Sequence, residues 1–466
     1  MYWYCVTVFV VIMSPIQAAN ILCVFPTPAV SHQMVFAAYV DKLAASGHNV
    51  TVVTPVSRGV QHIIEIECRT CADVFDELVN KSVTIKEGGM VADESTVTVE
   101  NYTPLVDMIA QQFTNENVTT LLSNKNNYYD LVVVEAYMGL NLVYGHFYDA
   151  PIIMFSSGYA TNDNLHTMNR FVKYDHNVYP NMWRSSFSSD AKLITSIEER
   201  LDREWTKLEY VQDDRLKKVF GEDTPSIATL KKSVKMLFIN VPHIFDNNRP
   251  VGENVQYLGG VHLKTPRPVY DRLLNHFLNQ HDIVVYVSFG STSNPNNMVN
   301  ELLDRFVRVF RRIPYGVVWK IDTNHTLNLP RNVITRRWLP QRDILHHRNV
   351  RLFISQCGVQ SVDEAIDSVV PVICIPLSGD QFNHANRVGQ FGVGVTLDLL
   401  TLQEHTLMDT VKSMVKNNTY IDNMYRLNRY IYDTHVLLTP LNKAVTYTNK
   451  LLVSKYVFDF GAPLTT

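Results

Sequence analysis

The chain has 466 residues, 42 basic and 45 acidic, for a formal net charge of −3 with histidines neutral. That length exceeds one ordinary core and predicts two domains, and the near-neutral balance, with no basic block, excludes a nucleic-acid-binding strip. Composition is that of a globular chain, 46% apolar, with no low-complexity tract or repeat, which excludes a disordered or fibrous protein.

The apolar run 6–13, then Ser14, Pro15, Ala18 and Ala19, reads as a secretory signal peptide over residues 1–19, cleaved near 18–20. No Lys or Arg precedes Lys42, so a first strand or an anchor is the other reading of that segment. Asn-x-Ser/Thr acceptors at Asn49, Asn80, Asn101, Asn117, Asn324 and Asn417 point to the same secretory route. No later apolar stretch is long enough to span a bilayer, so the expectation is a secreted glycoprotein without stable membrane insertion.

Residues 21–25 form a continuous apolar strand that breaks at Pro26-Thr27-Pro28. Ser31 then reads as the N-cap of a helix running to Ala45 and stopping at Gly47, with a second strand at 50–53. This opening places His32 at the carboxyl end of the first strand. Residues 57–127 are polar and irregular, with helical stretches near 71–79 and 105–122. The pair Cys68 and Cys71 has no second pair nearby and reads as part of a surface loop, with a local disulfide left open. Cys357 and Cys374 read as core thiols.

A strand at 129–134 delivers Glu135 to the same sheet edge, and another follows at 151–155. The segment to Phe187 is rich in Phe155, Tyr159, Met168, Phe171, Met182 and Trp183. It lacks clean periodicity and reads as loops and short helices, a minority of whose side chains line an apolar pocket. The first domain spans 20–250 and ends on a strand at 236–241, and 251–280 is its linker to a second α/β domain over 281–432. That half opens on a strand at 283–291 ending in Gly290-Ser291, then a helix at 298–311 and a strand at 316–320. Gly389, Gly392 and Gly394 have the dinucleotide fingerprint's order reversed and begin a strand instead. Residues 402–437 are mostly helical.

The densest chemistry lies between Trp338 and Gln381. Its grammar is a short helix (343–347), a buried strand (350–354), a tight turn at Ser355-Gln356-Cys357-Gly358, a helix (359–369) and a second strand (372–376). Every polar candidate falls where a strand ends or a helix begins, which is where open parallel sheets bind ligands. An indole such as Trp338 offers a face to a base, worth about 1–3 kcal/mol. An ionised Glu364 can accept from both hydroxyls of a ribose. The free N–H groups at the helix start after Gly358 suit a diphosphate, with Gln356, Gln360 and Ser361 beside them. Asp380 and Gln381 can bracket sugar hydroxyls.

The pattern Trp338-x-Pro340-Gln341, Phe353-Ile-Ser-x-x-Gly358, Glu364, and Pro371-x4-Pro376-x3-Asp380-Gln381 resembles the donor signature of the UDP-glycosyltransferases (glycosyltransferase family 1). The resemblance implies a GT-B fold, two Rossmann-like domains facing across a cleft, with a C-terminal helix and tail (433–466) crossing back onto the first domain. It implies that Trp338 stacks on uracil, that Gln341 and Glu364 hold ribose, and that the 356–361 turn holds diphosphate. Asp380 and Gln381 would hold the sugar, and Gly290 and Ser291 would approach the phosphate. It further implies that His32 is the catalytic base with Glu135 as its acidic partner. The family usually has Asp at the latter position and His at that of Gln356. The run from Gln356 to Ala365, QCGVQSVDEA, is similar to the family's baculovirus branch, which implies an ecdysteroid acceptor and UDP-glucose or UDP-galactose as donor.

No Asp-x-Asp pair is present, so no metal or resident cofactor is expected and the UDP-sugar is a co-substrate. The expected reaction is inverting hexosyl transfer to a hydroxyl. The alternatives are a transferase for another small lipophilic acceptor, an epimerase or hydrolase on the same fold, or a secreted steroid-binding protein without transfer activity. The unusual Gln356 makes the last conceivable, whereas intact Trp338, Gln341, Glu364, Asp380 and Gln381 argue against it.

Overall fold

The computed structural model describes residues 18–80, 91–291, 296, 298, 300–433 and 438–457. The leader read over residues 1–19 therefore lies outside the described residues apart from its last two.

Seven strands form the first sheet: β1 (Asn20–Val24), β2 (Asn49–Thr54), β3 (Ile63–Glu67), β4 (Leu131–Glu135), β5 (Ile152–Ser156), β6 (Val234–Ile239) and β7 (Val255–Tyr257). They pair in the order β3-β2-β1-β4-β5-β6-β7, all parallel. The second sheet has six: β8 (Val284–Ser288), β9 (Gly316–Lys320), β10 (Val333–Arg336), β11 (Val350–Ser355), β12 (Val372–Cys374) and β13 (Gly394–Thr396). Its order is β10-β9-β8-β11-β12-β13, again all parallel. Helices cover both faces of each sheet, so the central strands are continuous apolar runs without alternation. Strand order reverses between β1 and β4 in one sheet and between β8 and β11 in the other. Those two reversals open the crevices in which such sheets take ligands.

Apolar packing joins the halves. One cluster runs from Leu22 and Val134 through Phe245 to Phe353 and Val359 in the second sheet. The helix Pro440–Val457 returns to the first domain, burying Ala444, Val445 and Leu452 against Phe36 and Leu43. Tyr39 Oη meets Thr448 Oγ1 at 2.7 Å and His48 Nε2 meets Asn449 Oδ1 at 2.9 Å along that seam.

Several elements depart from the sequence expectation, each for a local reason. β3 lies in the stretch read as irregular, because an edge strand with Ile64 exposed and glutamates at 65 and 67 has little apolar signal. β7 belongs to the first sheet although it lies within the interval read as linker, and the helix Arg272–Gln280 occupies that interval's end. The 30-residue helix Ala191–Phe220 is recognisable only by its spaced buried Ile194, Leu201, Leu208 and Leu216 among charges. Ser31 is not the N-cap: the helix Val30–Ala45 starts after Ala29, with no side-chain cap. Of the three glycines at 389–394, Gly389 lies inside the helix Gln381–Gln390, Gly392 takes a left-handed φ of 64° and only Gly394 begins a strand. Asn417 splits the C-terminal helical stretch by capping the second of two helices.

The cysteines depart most. Cys68 and Cys71 are fully buried rather than in a surface loop. Cys357 and Cys374, expected as core thiols, are joined as a disulfide with Cα atoms 5.2 Å apart. Strand pairing explains this, since Cys374 is the register partner of Ser355 and Cys357 follows two residues later.

Candidate active site

A cavity of about 1420 Å³ lies between the carboxyl ends of the two sheets, and all thirteen residues singled out from the sequence line it. They divide by the strand that delivers them. β1 and β4 supply His32 and Glu135, while β8 and β11, with the elements that follow, supply most of the others.

On the first wall, the chain leaves β1 through Pro26-Thr27-Pro28 into the helix Val30–Ala45. Gln33 Nε2 donates to the carbonyls of Phe25 and Thr27, each at 2.8 Å, and this stitch fixes the helix entry in place of a cap. His32 thereby sits in the first turn with its Nδ1 2.8 Å from Glu135 Oε1. Glu135 ends β4 and is buried, with the His32 side chain partly exposed to the cavity. A carboxylate can only accept, so with Glu135 ionised and the ring neutral the hydrogen sits on Nδ1 and Nε2 presents a lone pair. The extra methylene of Glu relative to Asp does not prevent the contact.

Beside this pair the wall is aromatic and apolar. Tyr137 meets the His32 ring edge-on at 6.3 Å, and Trp183 packs against Tyr102 and Tyr137 at 5.5 and 5.8 Å. Burial pushes the phenols of Tyr102 and Tyr137 up, so both stay neutral donors. Phe75, Leu78 and Leu105 complete an apolar end. Of the six side chains noted in the 151–187 segment, Tyr159, Met182 and Trp183 line the cavity. Phe155 instead packs under the sheet on Phe36 and Tyr39, Met168 packs on the core and Phe171 is 97% exposed.

The second wall is polar. Gly290 takes φ 79°, and a Cβ there would lie 2.0 Å from Gln356 Nε2, so the glycine makes room for that amide. Gln356 is buried and its Oε1 has no protein partner. Trp338 is 61% exposed, an indole face open to the cavity. Gln341 opens the helix Gln341–Leu345, two residues earlier than the 343–347 expectation, because Pro340 serves as its N-cap. Its Nε2 donates to Ser361 Oγ at 3.0 Å and to Glu364 Oε2 at 2.8 Å, while its Oε1 accepts from Tyr286 Oη at 3.3 Å. Burial raises the Glu364 carboxyl to about 7, against the lowering pull of the Gln341 bond. Gly358 is the N-cap of the helix Val359–Asp367 with no side-chain cap, which leaves the first amides available to an anion.

Three more of the expected residues line this wall and carry further contacts or shifts. Gln360 lines the cavity and its Nε2 donates to the Ser157 carbonyl at 2.8 Å, so this amide also bridges the domains. Gln381 Oε1 accepts from the amides of Leu377 and Ser378 at 2.8 and 3.1 Å, holding the turn and leaving Nε2 for a ligand. Asp380 has its carboxyl raised to about 6 by burial, partly offset by its electrostatic interaction with His32 across the cleft.

Sequence reasoning missed Lys320 and, of the 156–159 loop, Ser156, Ser157 and Gly158. Lys320 ends β9 in register with Ser288, donates to the Gly290 carbonyl at 2.6 Å and lies 5.3 Å from the Trp338 ring. Its place at the carboxyl end of a recognised strand was the available signal. Ser157 accepts from Gln360 and from Asn240, and Tyr159 Oη lies 3.0 Å from His384 Nδ1, buried between the domains. A Cβ on Gly158 would lie 3.3 Å from Asp380 Oδ2, so the glycine permits that close approach. No cluster of three or more metal-ligating side chains occurs among the described residues.

A family model described as UDP-glucoronosyl and UDP-glucosyl transferase matches residues 20–455. The chain is 48% identical over 446 residues to the ecdysteroid UDP-glucosyltransferase of Lacanobia oleracea granulosis virus, covering 95% of this chain and 96% of that one. It is 38% identical over 468 residues to the ecdysteroid UDP-glucosyltransferase of Autographa californica nuclear polyhedrosis virus, covering 97% and 91%. Among solved structures it resembles the calicheamicin glycosyltransferase CalG4, with a TM-score of 0.60, 20% identity and coverage of 93% and 98%. That likeness bears on the fold, which is GT-B, with two parallel Rossmann-like sheets facing across the cavity.

Proposed function

Since the chain belongs to the UDP-glucoronosyl and UDP-glucosyl transferase family and is a UDP-glycosyltransferase, we propose that it transfers a hexose, glucose before galactose, from a UDP-sugar to an ecdysteroid hydroxyl. Conjugation inactivates the insect moulting hormone, and the anomeric carbon inverts. The observation that carries this reading is a single cavity with two chemistries. His32 and Glu135 stand beside an apolar, aromatic end that fits a steroid, and a polar end with an open indole and buried carboxylate fits a nucleotide. The 48% identity to a protein named for that acceptor and donor supports the choice of both.

In this reading the acceptor hydroxyl lies against His32 Nε2, whose lone pair takes the proton as the oxygen attacks the anomeric carbon. Glu135 holds the ring in the required tautomer and stabilises the imidazolium that forms. Trp338 stacks on the base, Glu364 and Gln341 hold the ribose, and the amides after Gly358 receive the charge that develops on the departing diphosphate. Gln356, Gly290 and Ser291 border that diphosphate. Asp380 and Gln381 Nε2 fix the sugar hydroxyls within reach of His32. No step requires a metal ion.

The decisive test is incubation with UDP-glucose or UDP-galactose and ecdysone, with the product identified by mass. A steroid hexoside supports the reading. Hydrolysis of the UDP-sugar without conjugate, or steroid binding without turnover, overturns it. We further propose that the protein is secreted, supported by the leader-like residues 1–19 and by exposed acceptor asparagines such as Asn49, Asn117 and Asn417. No helix among the described residues is long and apolar enough to cross a membrane.

A further inference from the structure

The pair Cys68 and Cys71 has no part in the reaction above, yet its geometry is specific. Cys68 follows β3 directly, its amide donating to the Thr54 carbonyl at 2.8 Å. Cys71 is the third residue of the helix Arg69–Asn80, and its amide donates to the Cys68 carbonyl at 3.1 Å. Both are fully buried, unbonded, and have their sulfurs 2.6 Å apart. A disulfide closes at about 2.05 Å, and two thiols that merely filled core space would stand well farther apart than this.

Helix periodicity gives the contact a consequence. Cys71, Phe75 and Leu78 fall at i, i+4 and i+7, one face of one helix. Phe75 and Leu78 line the apolar end of the cavity. Whatever fixes Cys71 therefore fixes the rotation and height of that wall.

We propose that Cys68 and Cys71 are a redox pair that closes to a disulfide and fastens the first turn of the Arg69–Asn80 helix beneath the acceptor end of the cavity. The closure is local. A loop of four residues removes little chain entropy, so its effect falls on the wall rather than on global stability. The chemistry balances by exchange with a small disulfide such as oxidised glutathione. The Cys68 thiolate attacks one glutathione sulfur and expels the other glutathione as thiolate. Cys71 then gives its proton to the departing glutathione thiolate and attacks the Cys68 sulfur, forming the internal bond and expelling the second glutathione. Two protein thiols are oxidised and one small disulfide is reduced to two thiols. Hydrogen bonds from Cys71 and Thr70, opposed by burial, hold the Cys68 thiol below its usual range, which supports it as the attacking group. Among the described residues the remaining cysteines do not compete, since Cys23 is buried within β1 and Cys357 is paired with Cys374.

Peptide mapping tests the bond without reference to any acceptor. The full-length protein, prepared without reductant and incubated with oxidised glutathione, is blocked with iodoacetamide and digested with trypsin, which cuts after Arg58, Arg69 and Lys81. The expected product is peptides 59–69 and 70–81 held together, two hydrogens lighter than the free pair and separating on reduction. Recovery of both peptides singly, each alkylated, overturns the proposal. The fastening rests on the acceptor reading above and is tested separately. In the double variant Cys68→Ser/Cys71→Ser, the KM for ecdysone should rise about three- to tenfold with the Kd for UDP unchanged. An unchanged acceptor KM in that folded variant overturns the fastening while leaving the transfer reaction itself intact.

Discussion

Glu364 offers a sharp test of the donor site, because burial has set its charge against its proposed work. The side chain is 5% exposed and its carboxyl is raised from 4.5 to about 7, with one oxygen held by Gln341 Nε2 at 2.8 Å. In the empty protein the native state therefore keeps a proton that the unfolded chain loses near pH 4.5. Stability from this residue is complete below that pH and falls as the pH rises through about 7. Donor binding runs the other way, since only the ionised carboxylate accepts from both ribose hydroxyls. Between pH 6 and pH 8 the ionised fraction rises from about 0.1 to about 0.9, so donor affinity should rise about tenfold and then level off. Glu364→Gln removes the charge and sets an amide against the Gln341 amide. Loss of charge-assisted bonds is worth about 1.5–3 kcal/mol, or about 10- to 150-fold in Kd at pH 8. Isothermal titration of UDP-glucose without acceptor, from pH 6 to 8.5, reads both effects, and the difference between the two pH profiles isolates Glu364 from Asp380. A folded variant with the wild-type slope, or with an unchanged Kd at pH 8, would refute the reasoning.

Replacing His32 by Ala should lower kcat by about 10²–10⁴-fold while UDP still binds, and Glu135→Gln should lose less; turnover within a few-fold of wild type for His32→Ala would remove it as the base. Gly290→Ala forces a Cβ to 2.0 Å from Gln356 Nε2 at φ 79° and should reduce stability by about 1–3 kcal/mol in urea titration. The double variant Gly290→Ala/Gln356→Ala should recover part of that loss, and no recovery would show that the amide is not the obstacle. Tyr159→Phe leaves His384 Nδ1 unpartnered between the domains, where burial already holds the imidazole neutral, near 3. It should lower stability by about 1–3 kcal/mol, and a change below the error of the denaturation curve would mean the contact is not maintained in solution.

Much of the donor half was legible in the chain because its logic is local. Between Trp338 and Gln381 a strand, a tight turn, a helix and another strand follow within 44 residues. The apolar runs of a doubly covered parallel sheet and the helix starts after Pro340 and Gly358 are short-range signals. They place Gln341, Gln356, Ser361, Glu364 and Asp380 at the ligand edge before any long-range contact is known. The same reasoning brings His32 and Glu135 to the ends of their strands; their partnership came from the family resemblance, and the contact itself only from the fold.

What the tertiary structure alone decided lies in contacts between distant segments. His32 and Glu135 are 103 residues apart and meet at 2.8 Å only because β1 and β4 are neighbours across a reversal of strand order. Gln360 and Ser157 are 203 apart, and their bond ties the donor-side helix to the first domain, a link no local signal announces. β3 and β7, at the sheet's edges, carry too little apolar signal to be read until the neighbours they pair with are in place. The pairing of Cys357 with Cys374 likewise depends on the register of β11 against β12. Periodicity and turn chemistry are properties of a few adjacent residues, so the sequence carries them outright. Strand order, register and the partner of a buried amide depend on how the whole chain closes, and only the folded molecule fixes them.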